Sequence, residues 1–65
     1  MTSDRLAQLL IDLDGFHPAV EILAAWTYQV AEGRKRGKST LQAQERADRV
    51  IRKAAKDGTF GDLPR

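Results

Sequence analysis

An all-α fold, a small three-helix bundle, is what this 65-residue sequence predicts, on three observations. Apolar residues recur at three- and four-residue spacing in three separate stretches, the periodicity of helix faces. Turn dipeptides and cap residues punctuate the chain between those stretches. No stretch alternates apolar and polar residues as a half-buried strand does.

The first helix is expected over residues 4–13, with Ser3 as its N-cap. Leu6, Leu9, Leu10 and Leu13 stand at i, i+3, i+4 and i+7, and Ala7 and Ile11 widen that face. Asp14-Gly15 then breaks the helix as a turn dipeptide.

The second is expected over residues 18–32. Pro18 suits the first helical position, where a missing N–H leaves nothing unbonded, and it keeps His17 out of helical backbone angles. Gly33 stands where a C-terminal stop belongs. On a helical wheel Val20, Ile22, Leu23, Ala24, Trp26, Thr27, Val30 and Ala31 cover an arc of roughly 200°. Glu21, Ala25, Tyr28, Gln29 and Glu32 take the other side. Such an arc marks the central helix of the bundle.

The third is expected over residues 40–56. Ser39 and Gln42 have the spacing of a capping box, and Asp57-Gly58 closes the element. Its apolar stripe is Ala43, Ala47, Val50, Ile51, Ala54 and Ala55. Alanines let helices approach closely but bury little area each. The tail is read as irregular, with Phe60 folding back over the end of the bundle.

A chain of this length makes one domain, residues 1–65, with a core that rarely contributes more than about 3–5 kcal/mol. The absence of cysteine excludes disulfides and thiolate metal sites, and a single histidine does not make a usual zinc site. No metal and no other cofactor is expected. No apolar run is long enough to span a bilayer, and the N-terminus lacks the pattern of a signal peptide. The expectation is a soluble, cytoplasmic protein with no membrane partner. The arcs of the first two helices exceed what an alanine stripe covers, so a homo-oligomer, in the simplest case a homodimer, is expected. Ile22, Trp26 and Val30 are the candidate partner interface, since tryptophan is enriched at interfaces.

Charge is strongly lopsided. Residues 1–32 carry five carboxylates against Arg5, a net −4, and residues 33–65 carry ten cations against four carboxylates, a net +6. Segregation of this kind points to a polyanionic partner for the second half. Arg34, Lys35, Arg36 and Lys38 crowd the loop before the third helix, beside backbone N–H groups that carry positive partial charge. Ser39 adds a hydroxyl there, and Arg46, Arg49, Lys53 and Lys56 continue the positive charge along the helix. Glu45–Arg49 and Asp48–Arg52 are i,i+4 pairs that would neutralise part of it.

Two other constellations are weaker. Gly37-Lys38-Ser39-Thr40 resembles the end of a phosphate-binding loop, but Glu32 stands where the motif needs its first glycine, and a helix precedes it instead of a strand. Asp12, Asp14, His17 and Glu21 gather around the first turn without the spacing of a metal site, and read better as turn and helix-dipole residues. With no nucleophile–base pair either, the chain reads as a non-enzyme. The leading expectation is a small nucleic-acid-binding regulatory protein, directed at DNA and contacting phosphates through the basic loop and third helix. The alternative is an adaptor, inhibitor or antitoxin-like module that presents the apolar face of the first two helices. A helix-turn-helix is disfavoured, since the expected six-residue link exceeds the usual three to four.

Overall fold

The computed structural model describes residues 4–65 and contains three α-helices and a terminal 3₁₀ turn: α1 (Asp4–Asp12), α2 (Ala19–Lys35), α3 (Thr40–Asp57) and the turn Phe60–Asp62. The all-α three-helix bundle expected from the sequence is the observed fold. The N-cap assigned to Ser3 lies outside the described residues. No helix among those described is long and apolar enough to cross a membrane.

Local chemistry sets most of the helix ends. Pro18 is the N-cap of α2, in extended backbone, so the helix begins at Ala19, one residue later than expected. Ser39 and Gln42 form the capping box: Gln42 N donates to Ser39 Oγ at 3.1 Å, and Ser39 N donates to Gln42 Oε1 at 3.1 Å. Gly58 ends α3 in the left-handed region, φ 77°, which glycine adopts without steric cost. Gly33 does not stop α2. The helix runs on to Lys35, and Gly37, at φ 83°, turns the chain instead. The link to α3 is therefore residues 36–39, four residues instead of the six expected, so link length does not speak against a helix-turn-helix as the sequence suggested.

Gly33 remains helical because α3 lies directly against it. A Cβ built there would stand 2.9 Å from the Ala43 Cβ and 3.1 Å from the Ala43 Cα. Further along, Arg46 Nη1 donates to Gln29 Oε1 at 2.7 Å. At the far end His17, before α2, stacks on Phe60, after α3, with ring centroids 4.1 Å apart. Contacts thus run from the turn to the opposite end, and α2 and α3 form an antiparallel hairpin. A DNA-reading helix-turn-helix instead crosses its two helices steeply.

The core lies between this hairpin and α1. Leu9, Ile22, Ala25, Trp26, Ala47, Ile51, Ala54 and Phe60 are buried together, with Leu6, Leu10, Leu13, Val30 and Leu63 packed around them. The alanine stripe is borne out at Ala43, Ala47 and Ala54, and Phe60 does close the end of the bundle. Arg65 completes that closure: its guanidinium lies 5.4 Å from the Phe60 ring centre and 3.6 Å from Glu21.

The arc expected on α2 requires correction. Ala25 and Gln29, assigned to the outer side, are buried, whereas Val20 is 72% exposed and Leu23 47%. On α1, Ile11 and Ala7 also face solvent. The physical reason is length. At 1.5 Å per residue α1 is about 14 Å long and α2 about 26 Å, so α1 covers only part of α2. The hairpin therefore rotates α2 to meet α3, its one full-length neighbour.

Candidate nucleic-acid interface

On α3, Gln42, Arg46, Arg49, Lys53 and Lys56 recur at alternating four- and three-residue steps and share one face, a strip about 21 Å long. Its character depends on where the carboxylates of α3 go. Glu45 does not pair with Arg49 as expected; it pairs with Arg5 of α1 at 3.1 Å. Asp48 pairs with Arg52 at 2.9 Å, as its spacing implied, and the same guanidinium reaches Asp12 of α1 at 2.7 Å. Two arginines thus gather three carboxylates on the α1 side of the helix. The strip is left with one acid beside it, Asp57, which takes Lys53 at 2.7 Å.

These ion pairs set the electrostatics. The Arg52 hydrogen bond holds the Asp12 carboxyl below the ordinary carboxylate range, and Gln8 adds to the effect by donating to the same group at 2.8 Å. Asp12 in turn raises the pKa of Arg52, and Asp57 raises that of Lys53. All three shifts favour the charged forms and keep the pairs closed near neutral pH.

The cations singled out in the sequence fall into two groups. Lys35 is held by Glu32 at 3.5 Å, Arg34 Nη1 donates to the Lys38 carbonyl at 3.1 Å, Arg46 is engaged with Gln29, and Lys53 with Asp57. Arg36, Lys38, Arg49 and Lys56 make no side-chain ion pair or hydrogen bond among the described residues. Ser39 is committed to the capping box, so its oxygen already accepts a helix N–H that an incoming anion would otherwise use. This weakens the expectation of a phosphate cradle at the start of α3 and moves the weight to the strip.

The other candidates are dispersed. Ile22 is 1% and Trp26 6% exposed, so both are core residues with almost no surface for a partner, and Val30 packs beside them half-buried. Of the turn cluster, Asp12 is taken by Arg52, Glu21 by Arg65, and His17 stacks on Phe60. Among the described residues no three of His, Asp and Glu are grouped closely enough to share a metal ion.

Two features were not singled out from the sequence. The Gln29–Arg46 bond is one; its signal was available, because Gln29 lies seven residues from Ile22 and three from Trp26, on the face both define. The second is a cleft of about 390 Å³ between the end of α1 and the last turns of α3. It is lined by Leu13, Phe16, His17, Ala55, Lys56 and the Asp12–Arg52 pair. Phe16 had no periodic partner to mark it. No protein-family model, curated protein or solved structure matches this chain.

Proposed function

We propose that this chain is a small regulatory protein of the cytoplasm that binds nucleic acid, duplex DNA in the first instance, and acts by binding rather than catalysis. One observation carries the reading. The carboxylates of α3 are drawn to the α1 side by Arg5 and Arg52, while Arg36, Lys38, Arg49 and Lys56 have no ionic partner among the described residues. Cations on a rigid helix and its leading turn, with no internal counter-charge, suit a partner whose phosphates repeat along a line. The antiparallel hairpin favours contact with phosphates over insertion of a recognition helix, so sequence preference is expected to be weak.

The test is a salt titration of binding to a random-sequence duplex. Binding that weakens linearly in log affinity against log salt supports the reading. An absence of binding at the lowest salt, where electrostatic attraction is least screened, overturns it and leaves the protein-binding module in its place.

A further inference from the structure

The outer face of α2 is apolar and unpartnered. Val20, Leu23, Thr27, Tyr28 and Ala31 lie along it exposed, with Ala24 half-buried between them, and no charged residue interrupts it from Glu21 to Glu32. Apart from Tyr28, which the wheel set on the other side, these residues are the part of the expected apolar arc that the bundle does not use. Among the described residues the large buried apolar side chains are Leu9, Ile22, Trp26, Ile51 and Phe60, a small core even for a chain of this size, so covering further apolar surface would matter to stability.

The charges around the face are arranged to suit one occupant. Glu21 lies at the start of α2 and Lys35 at its end, both on the Tyr28 side of the apolar strip. Within one copy they reach only Arg65, at 3.6 Å, and Glu32, at 3.5 Å, long surface pairs that can be exchanged for a closer one. When two copies of a helix pack antiparallel about a two-fold axis, residues on one flank meet residues of that same flank, acid end against basic end. An axis near Tyr28 then brings Glu21 beside the partner's Lys35, and Ala24 beside the partner's Ala31. The small residues at 24, 27 and 31 let the two helices approach closely. A parallel pairing would oppose like ends and lose this match.

We propose that the outer face of α2 is the self-association surface of this protein, formed by an antiparallel α2–α2 pairing of two copies. It involves neither Ile22 nor Trp26, and it stands independently of the nucleic-acid reading.

The experiment measures mass by sedimentation in the absence of nucleic acid, over a range of concentrations. The native chain is expected to have twice the 7.3 kDa of one copy. Leu23→Glu should weaken dimerisation at least about 100-fold, because an apolar side chain is lost from both copies at once. Lys35→Glu should weaken it less, and Glu21→Lys with Lys35→Glu should restore it. Lys35 is three-quarters exposed, so this charge series stays informative even if Leu23→Glu is poorly folded. The chain has no cysteine, so orientation can be read by single substitutions: Tyr28→Cys should cross-link to itself on oxidation and Val20→Cys should not. A mass of one copy at every concentration overturns the proposal and gives the face to a different chain. A dimer that Leu23→Glu leaves intact, or one that cross-links through Val20→Cys alone, overturns it as well.

Discussion

Gly33 of α2 and Ala43 of α3 approach so closely that a methyl group on Gly33 would stand 2.9 Å from the Ala43 Cβ. Real Cβ atoms do not pack at that distance, so Gly33→Ala must part the two helices where they leave the turn. A loss of about 1–3 kcal/mol in chemical denaturation is expected, the range for overpacking a well-filled contact. Gly61→Ala is the control, since nothing lies within 4 Å of its Cβ position. A Gly33→Ala chain more stable than the native one, by the roughly 1 kcal/mol that alanine gains over glycine inside a helix, would mean that the helices do not meet there.

Arg46 and Arg49 are neighbours on the strip but should behave differently. Arg46 satisfies the oxygen of Gln29, which is buried, and the Arg49 side chain has no ion pair or hydrogen bond among the described residues. Arg46→Met should destabilise the fold by about 1–3 kcal/mol by leaving a buried acceptor without a donor. Arg49→Gln should stay within about 0.5 kcal/mol of the native chain, as surface substitutions usually do. Thermal unfolding of the two variants side by side separates them.

If the strip contacts phosphates, Arg49→Gln and Lys56→Gln should each flatten the slope of log affinity against log salt by about 0.9 on duplex DNA. Arg46 then confounds folding with binding, so it is the poorer probe. Lys53 should contribute less than Arg49, because Asp57 must first release it. Slopes that do not change in either variant would remove α3 from the binding surface.

Acid should loosen α1 first. The folded protein favours ionised Asp12 through Arg52, so this carboxyl contributes stability that is complete above the ordinary carboxylate range. That contribution is lost as pH falls through the lowered folded value. An NMR titration should show the Asp12 carboxyl protonating below the reference aspartate value, with amide shifts in α1 following it. Asp12→Asn should abolish the shift and make α1 less sensitive to acid.

Which parts of this structure were legible in the sequence follows from how local their causes are. The Ser39–Gln42 box and the Gly58 stop are satisfied within one helical turn, so residue types at fixed spacing reveal them. Gly33 had the same local credentials as a stop, and failed because Ala43, ten residues on, needs the space that a side chain would fill. Val20 and Leu23 face solvent, and Ala25 and Gln29 the core, because the partner helices are unequal in length, which no wheel of α2 alone contains. Clustering of cations was legible. Their freedom from neutralisation was not, since it depends on Arg5 reaching Glu45 across forty residues of chain.

The antiparallel hairpin also has a kinetic consequence. Its two helices are consecutive and joined by a four-residue turn with a preset glycine and a reciprocal cap, so their contacts close short loops. Loop closure of that kind is entropically cheap, and proteins dominated by it fold in microseconds to milliseconds. α1 docks through Leu9 and the ion pairs of Arg5 and Asp12, which span forty residues and are expected to form after the hairpin. Hydrogen exchange should therefore find two tiers of protection: amides of α2 and α3 that open only with the whole molecule, and amides of α1 that exchange through a partial opening in which the hairpin stays intact.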